Sequence, residues 1–191
     1  FYILYHEQAQ DILNILLRIS GIQKISLAEC FDFNGVEDLI SKVIPMVKED
    51  VANASYAVRA RRIDNNECSA ASLSIEIGTL LSTESNHVDL KNPEVTVSVE
   101  VRNRDVYVFT ETYEGIGGLP IDGTQRALCM FSGGIDSPVA AYQMLKRGCA
   151  LDFFIVNLVG EKGFWQAARV YNYLISQYTH GYKPKLFVLD G

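Results

Sequence analysis

The residues with the clearest chemical potential are Ser132 to Ser137, which have the sequence Ser-Gly-Gly-Ile-Asp-Ser. An apolar run at 127 to 131 precedes them, and a stretch of helical character at 138 to 147 follows. Two adjacent glycines let backbone amides approach an anion closely, and three short polar side chains lie beside a helix N-terminus. The pattern predicts a strand, a loop and a helix that together bind an oligophosphate.

The loop differs from a Walker A phosphate loop, because no Gly-Lys-Ser/Thr follows four residues after its first glycine and no lysine lies inside it. A Ser-Gly-Gly-x-Asp-Ser loop after a buried strand resembles the pyrophosphate loop (PP-loop) of the N-type ATP pyrophosphatases. Those enzymes hold the β,γ-pyrophosphate of ATP while a nucleophile attacks the α-phosphorus, so they adenylate their substrates. The alternative is a structural glycine turn in which Asp136 or Ser137 caps the helix.

Asp136 introduces a negative charge where the phosphates should lie. Like charges so close would oppose binding, and a bound Mg²⁺ would remove this repulsion. We therefore predict that Asp136 is a direct or water-mediated Mg²⁺ ligand and that it acts in catalysis together with Ser132. We predict that the pyrophosphate oxygens bind to Ser132, Gly133, Gly134 and Ser137. The competing role of Asp136 is that of a structural N-cap.

The carboxyl ends of two predicted strands should hold the rest of the nucleotide, because ligands of open parallel sheets bind there. Met130 and Phe131 end the strand before the loop, and Ile155, Val156 and Asn157 end the next strand. We predict that backbone amides and carbonyls of these residues bind the adenine and ribose of ATP, which explains why their side chains can be apolar. The alternative is simple packing at the strand ends.

The composition fits one to three small soluble domains in the cytoplasm. The 191 residues are 48% hydrophobic, and the longest apolar stretch, 153 to 159, is too short to span a bilayer. Four cysteines without any Cys-x-x-Cys pair fit reduced thiols better than a metal site. The net charge of -6 argues against a surface coated with basic residues, so a nucleic-acid site would have to be a local patch. We expect no association with a membrane.

Periodicity predicts three groups of elements that must position these residues. The first group has strand 1–5, helix 7–18 and strand 23–28, which is half of an α+β sandwich. The second group has helix 36–51, strand 55–61, helix 71–81 and a hairpin of strands 95–102 and 105–111. The third group is a right-handed β-α-β-α-β run with strand 127–131, helix 138–147, strand 151–158, helix 163–178 and strand 185–189.

The third group corresponds to half of a doubly wound parallel sheet. Further strands on the other side of its first strand would be needed to complete the nucleotide site, but the sequence ends at Gly191. At the other end it opens with an apolar run, without an initiator methionine or a signal-peptide layout. We therefore expect a fragment that begins inside a domain.

The densest cluster of cations consists of Arg59, Arg61 and Arg62, at the end of a predicted strand. Arg59 and Arg61 share one face of that strand, and Lys91 belongs to the same group of elements. Arginine can bridge phosphates and stack on unpaired bases, which suits binding to RNA. We predict that these four residues bind RNA. The alternative is a solvated strand surface.

Three segments together resemble the tRNA 4-thiouridine synthetase family, in which they occur in the same order: Val88 to Val97, Tyr113 to Pro120 and Ser132 to Gly148. The resemblance implies an α+β N-terminal part, made of a partial ferredoxin-like domain and a THUMP domain, followed by an α/β Rossmann-like PP-loop domain with a parallel sheet. The implied bounds are 1–33 for the partial ferredoxin-like domain, 34–112 for the THUMP domain, 113–120 for a linker and 121–191 for the N-terminal half of the PP-loop domain.

The resemblance also implies a reaction. ATP activates the O4 of a tRNA uridine as an adenylate, and a persulfide sulfur then displaces AMP to give 4-thiouridine. The sulfur would come from a persulfide donor such as a cysteine desulfurase, and some family members also supply sulfur for the thiazole of thiamine. The part of the domain that carries the sulfur-transfer cysteine of the family is absent, so no cysteine here is assigned that role.

Two other functions stay open at this point. One is another PP-loop enzyme that adenylates tRNA, and the other is a THUMP-bearing RNA-binding protein without catalysis of its own. The sequence also does not decide whether the protein forms a homodimer or whether it carries a rhodanese-like extension.

Overall fold

The computed structural model describes residues 2–3, 8–63 and 69–191, and at residues 123–125 it describes the backbone alone. The strand predicted over 1–5 lies largely outside these residues. The chain divides into two compact units. The loop unit consists of residues 1–25 and 113–191, and the arginine unit consists of residues 26–112. Among the described residues, no helix combines the length and the hydropathy needed to cross a bilayer.

The helices and strands are numbered in chain order. They are α1 (Ala9–Leu16), β1 (Lys24–Ser26), β2 (Glu29–Asp32), α2 (Val36–Val47), β3 (Ser55–Ile63), α3 (Ala70–Leu81), β4 (His87–Val88), β5 (Val95–Arg102), β6 (Asp105–Phe109), β7 (Thr112–Glu114), β8 (Asp122–Met130), α4 (Asp136–Lys146), β9 (Cys149–Asn157), α5 (Gly160–Tyr178) and β10 (Leu186–Asp190). The strand predicted over 23–28 is shorter than expected, and the boundary between the two units falls inside it, at residues 25 and 26.

The arginine unit contains a mixed five-stranded sheet with the order β2-β6-β5-β3-β4. β3 is parallel to β4 and β5, whereas β6 is antiparallel to β2 and β5. Val97, Val99 and Val101 alternate with polar residues in β5, and they are fully buried in one core with residues of α2 and α3. Alternation therefore gives β5 one buried face, and the predicted α+β arrangement is confirmed.

Tyr56 ties β3 to α3 in this core. Its ring is fully buried, and its hydroxyl donates a 2.7 Å hydrogen bond to the carbonyl of Gly78 in α3. Burial raises the pKa of the Tyr56 hydroxyl, so it stays a donor at neutral pH. This contact fixes which face of β3 is turned toward the helices.

The loop unit contains a three-stranded parallel sheet with the order β10-β9-β8. α4 and α5 pack on the same face of this sheet through one core that includes Leu145, Phe153 and Tyr171. The rings of Phe131 and Phe153 meet edge to face, with their centroids 5.3 Å apart. The predicted β-α-β-α-β order is confirmed, and β9 lies in the middle of the described sheet.

The stretch 113–120, predicted as a linker, packs closely inside the loop unit. The Leu119 N–H donates to the carbonyl of Lys146 at the end of α4, at 2.9 Å. Gly118 has a φ of +83°, and a Cβ there would lie 2.1 Å from the same carbonyl oxygen. A side chain at this position would meet both a strained backbone and a steric clash.

Candidate nucleotide site and RNA-binding face

The predicted phosphate loop connects β8 to α4 at the carboxyl end of the parallel sheet. Phe131 is 4% exposed and anchors the start of the loop, since its N–H donates to the carbonyl of Phe154 at 2.8 Å. Ser132 follows, and α4 begins at Asp136. The loop therefore lies where parallel sheets bind their ligands, beside a helix N-terminus.

Two serines hold the ends of this loop together. The Ser132 N–H donates to Oγ of Ser137 at 3.0 Å, and the Ser137 hydroxyl donates to the Ser132 carbonyl at 3.2 Å. The two hydroxyl oxygens are 3.2 Å apart, and the Gly134 N–H lies 3.4 Å from Oγ of Ser132. The serines thus brace the loop in addition to any contact that they make with a ligand.

The two glycines of the loop differ in their surroundings. A Cβ on Gly133 would lie 3.1 Å from Cγ of Gln166 in α5, and Nε2 of Gln166 donates to the Gly133 carbonyl at 3.1 Å. A Cβ on Gly134 would meet only Oγ of Ser132, at 3.6 Å. Gly133 therefore lies against α5, a contact that the sequence did not indicate. Gly134 has the open surroundings that a ligand would use.

Asp136 is exposed at the first residue of α4. The N-cap position is occupied by Ile135, no side chain caps the helix, and Ser137 bonds back to Ser132. The alternative role of Asp136 or Ser137 as N-cap is therefore not seen. Across the described residues, Asp136 takes part in neither of the two ion pairs. Its carboxylate is available to a ligand.

The residues around Asp136 suit a magnesium ion better than a softer metal. The oxygen donors near this point are the Asp136 carboxylate and the two serine hydroxyls, and Mg²⁺ prefers oxygen ligands. The described part of the chain holds no group of three or more His, Cys, Asp or Glu residues that could form a metal cage. Mg²⁺ is usually held by one or two carboxylates together with phosphate oxygens and water, so Asp136 could serve as one of its ligands.

The predicted nucleoside contacts lie at the ends of β8 and β9. Phe131 and Ile155 are buried in the core, so only their backbone atoms can reach a ligand, whereas Met130 is 62% exposed. Val156 and Asn157 are partly exposed. Nδ2 of Asn157 donates to Oδ1 of Asp190 at the end of β10, at 3.0 Å. This contact crosses strands that are remote in sequence, so the sequence alone did not indicate it.

Cys129 lies close to the loop but has the wrong character for a nucleophile. Burial raises the pKa of its thiol, which disfavours the reactive thiolate. The raised pKa therefore argues against Cys129 as the nucleophile of sulfur transfer.

β3 directs its side chains alternately to the two faces of the arginine unit's sheet. Tyr56 and Val58 lie in the core with the helices, so Arg59 and Arg61 lie on the opposite face, which we call the open face. Arg62 is paired in register with the fully buried Val101 and therefore lies on the helix side. The structure brings Arg59 and Arg61 together and separates Arg62 from them.

Lys91 lies next to Arg59. Nη2 of Arg59 donates to the carbonyl of Leu90 at 2.9 Å. The turn that carries Lys91 is fixed by Asp89, whose Oδ1 accepts the N–H groups of Lys91 and Asn92 at 2.8 and 3.1 Å. The N–H groups of Asn92 and Lys91 hold the pKa of Asp89 below its ordinary value. A side-chain contact thus ties Arg59 to the backbone of the turn that carries Lys91.

The open face also carries aromatic side chains that the sequence analysis missed. Tyr107 and Phe109 of β6 are partly exposed and pair in register with Glu100 and Ser98 of β5, which in turn pair with Arg61 and Arg59. Arginines beside aromatic rings form the kind of surface that stacks unpaired bases and holds phosphates. The alternation of buried and exposed residues in β6, combined with the pairing of β6 to β5, is the signal that would have placed these rings on the open face.

Comparison with known proteins extends over both units. Residues 33–111 match the model of the THUMP domain, and residues 123–190 match that of the thiamine biosynthesis protein (ThiI) family. A tRNA sulfurtransferase of Desulfurococcus amylolyticus is 33% identical over 96% of this chain and 38% of its own length. A probable tRNA sulfurtransferase of Sulfurisphaera tokodaii is 32% identical over 92% of this chain and 48% of its own length. The chain spans less than half of these relatives.

Two solved structures share the fold. The PH1313 protein of Pyrococcus horikoshii has a TM-score of 0.82 and 25% identity over 95% of this chain and 62% of its own. A 4-thiouridine synthetase, solved in complex with RNA and with bound ATP, has a TM-score of 0.80 and 25% identity over 98% of this chain and 50% of its own. With a THUMP match, a ThiI match and relatives of this kind, the chain belongs to the tRNA sulfurtransferase (4-thiouridine synthetase) family.

Proposed function

We propose that this chain is the ATP-binding and tRNA-binding part of a tRNA sulfurtransferase. The observation that carries the proposal is the loop 132–137, which lies between a parallel strand and a helix N-terminus and has a free carboxylate at Asp136. The relatives named tRNA sulfurtransferase match nearly the whole chain, which supports the assignment. The full protein would adenylate a tRNA uridine and replace its O4 with sulfur.

We infer the following division of the chain: 1–33 as a partial ferredoxin-like domain, 34–112 as the THUMP domain, 113–120 as a linker and 121–191 as the N-terminal half of a PP-loop domain. The THUMP match at 33–111 supports the second bound. Residues 1–25 of the first segment pack in the same compact unit as 113–191, whereas residues 26–33 belong to the arginine unit.

The nucleotide roles follow from the geometry of the loop. Backbone amides at Gly133 and Gly134, with the hydroxyls of Ser132 and Ser137, bind the pyrophosphate oxygens. These donors are held in place by the serine hydrogen bonds and by Gln166, so they need no rearrangement when charge develops on the leaving pyrophosphate. The strand ends at Met130–Phe131 and Ile155–Asn157 bind adenine and ribose through their backbone.

Asp136, with help from Ser132, would hold a magnesium ion. When bound, Mg²⁺ neutralises charge on the phosphates and lets a carboxylate and a polyanion share the same site. The residues of the chain orient the phosphates by their amides and hydroxyls. The negative charge of Asp136 also lies in the first turn of α4, where the helix dipole stabilises it.

The open face of the arginine unit would bind the tRNA. Arg59, Arg61 and Lys91 supply cations on one side of the sheet, and the aromatic residues of β6 supply rings for unpaired bases. Arg62 lies on the other face and is assigned a weaker role. A 4-thiouridine synthetase that shares this fold was solved with RNA, which supports an RNA ligand.

The reaction needs a sulfur donor from outside this chain. The terminal sulfur of a persulfide carrier, such as a cysteine desulfurase, would attack C4 of the adenylated uridine as AMP leaves. A thiol would then cleave the resulting disulfide, which releases 4-thiouridine and leaves a disulfide between the thiol and the carrier. We place the protein in the cytoplasm, where tRNA and ATP are available. Another adenylating tRNA-modifying enzyme is the second candidate, because the loop alone would serve either reaction.

The test uses the full-length protein. Pyrophosphate release should require both ATP and tRNA, and addition of a persulfide donor should convert a tRNA uridine to 4-thiouridine, detected by mass spectrometry of the digested tRNA. Pyrophosphate release with another modified nucleoside as the product would support the second candidate. The absence of any tRNA-dependent pyrophosphate release would refute both.

A further inference from the structure

The arginine unit has a groove on its helical side that the proposed function does not use. The groove lies between α2 and α3 and has a volume of about 470 Å³. Its floor is aliphatic and consists of Ile40, Ile44 and Pro45 of α2 and Leu80 of α3. Leu80 is 58% exposed, an unusual situation for a leucine that lines a concave surface.

The polar groups of this groove are acceptors. Glu37 and Glu76 both line it, both are exposed, and neither belongs to an ion pair among the described residues. Ser41 also lines it, and its carbonyl lacks the usual helical donor, because Pro45 has no N–H. The Ser41 hydroxyl already donates to the carbonyl of Asp38 at 2.8 Å. The groove therefore combines an apolar floor, two carboxylates and a carbonyl acceptor.

We propose that this groove docks a protein partner through a short segment in which aliphatic side chains stand next to lysine or arginine. The aliphatic part removes the exposed floor from water, and the cations meet the two carboxylates. Lysine and arginine suit this site in a second way, since their methylene stems cover apolar surface while their heads reach Glu37 and Glu76. RNA does not suit it, because phosphates would face two carboxylates without any donor.

The docking groove and the RNA-binding face use opposite sides of one sheet. The groove is formed by α2 and α3, whereas Arg59 and Arg61 lie on the open face. A protein partner could therefore occupy the groove while tRNA occupies the open face. The proposal goes beyond the proposed function and can fail or hold independently of it.

The test measures binding of fluorescein-labelled peptides to the full-length protein by fluorescence anisotropy. The probe is a 12-residue amphipathic helix of leucine and lysine, compared with one in which glutamate replaces lysine and one in which serine replaces leucine. The Glu37→Lys/Glu76→Lys variant and the Leu80→Ser variant should each bind the probe about tenfold more weakly. The matched control, Glu49→Lys/Glu84→Lys, has the same charge change outside the groove and should stay within about twofold of wild type.

Three results would overturn the proposal. The Glu49/Glu84 variant could lose as much affinity for the probe as the Glu37/Glu76 variant, or the serine peptide could bind as tightly as the leucine peptide. Spermidine could also displace the probe when it is added at the same concentration of positive charge. Each of these results would mean that the probe is attracted to any acidic surface of the protein. Circular dichroism and tRNA affinity check that the variants are folded. If the Glu37→Lys/Glu76→Lys variant is not folded, the single variant Glu76→Gln takes its place. tRNA-dependent pyrophosphate release of the groove variants should equal that of wild type, which separates this test from that of the proposed function.

Discussion

The loop unit and the arginine unit hold their candidate functional groups in different ways. In the loop unit the candidate phosphate ligands lie within six consecutive residues, and the direction of the backbone amides proposed to bind is set by a strand end and a helix start. In the arginine unit they are side chains from β3, β6 and the turn after β4, and the sheet alone brings them to one face. A backbone site depends on local conformation, whereas a side-chain surface depends on register. Substitutions in the two units should therefore separate catalysis from RNA binding.

The largest expected effect is on catalysis in the loop unit. Asp136→Ala should lower tRNA-dependent pyrophosphate release by about a hundredfold or more, because a metal ligand and its charge are lost, while tRNA affinity stays near that of wild type. The measurement is turnover and tRNA binding of the full-length protein. Asp11→Ala, an exposed aspartate of the same unit on α1, is the control. Turnover close to wild type in the Asp136 variant would remove this residue from the site.

The dependence of the loop unit on backbone geometry can be tested by stability. Gly118→Ala should destabilise the protein by about 2 kcal/mol or more, because its Cβ would meet the Lys146 carbonyl and its φ is positive. Gly134→Ala is the matched control, since its Cβ would meet only one atom, at 3.6 Å. The measurement is the midpoint of urea unfolding of each variant, compared with that of wild type. Equal midpoints would show that the packing of residues 113–120 does not stabilise the unit.

The arginine unit should respond in RNA binding alone. Arg59→Glu/Arg61→Glu should flatten the slope of log tRNA affinity against log salt concentration by about 1.4 to 1.8, since each phosphate contact contributes about 0.7 to 0.9. ATP binding should be unchanged.

Arg62 offers a matched control for the adjacent Arg61, because the two side chains lie on opposite faces of β3. Arg61→Glu alone should flatten the slope by about 0.7 to 0.9, and Arg62→Glu should change it little. Equal effects of these two variants would show that general electrostatic attraction, not the open face, binds the tRNA.

The smallest expected effect concerns pH and the sheet of the loop unit. The Lys185 N–H, together with Arg126, whose Nη1 lies 3.0 Å from Oδ2, holds the pKa of Asp152 below its ordinary value. A carboxyl with a lowered pKa stabilises the folded state above its unfolded pKa, about 3.9, and loses this contribution as the pH falls through the folded value. Asp152→Asn should cost about 1 kcal/mol at pH 7, and this cost should shrink as the pH falls through the folded pKa of Asp152.

Urea midpoints of wild type and the Asp152 variant at several pH values provide the measurement. Leu128→Asn is a suitable control, since Leu128 is the register partner of Asp152 on β8, is exposed and has no charge to titrate. A stability difference that persists at the lowest pH would show that Asp152 acts through packing or neutral hydrogen bonds.

Several features could be predicted from the sequence because they depend on neighbouring residues. The loop 132–137 is one, since glycines, short polar residues and the flanking apolar run lie within a few positions of each other. The β-α-β-α-β order and the burial of Val97, Val99 and Val101 are others, because periodicity alone marks a buried face. The family resemblance was also available from short segments, and the comparisons confirm it.

Other features were decided by the tertiary structure. Gly133 is enclosed by Gln166 because α5 packs on the loop, and no local pattern encodes that contact. Arg59 contacts the carbonyl of Leu90, next to Lys91, although the two residues are far apart in sequence. Arg62 is separated from Arg61 because strand register and the buried side of β3 determine which side chains share a face. The groove between α2 and α3 exists only once two helices pack on the same sheet. Contacts between residues far apart in sequence depend on how the whole core packs, so they cannot be predicted from short sequence patterns.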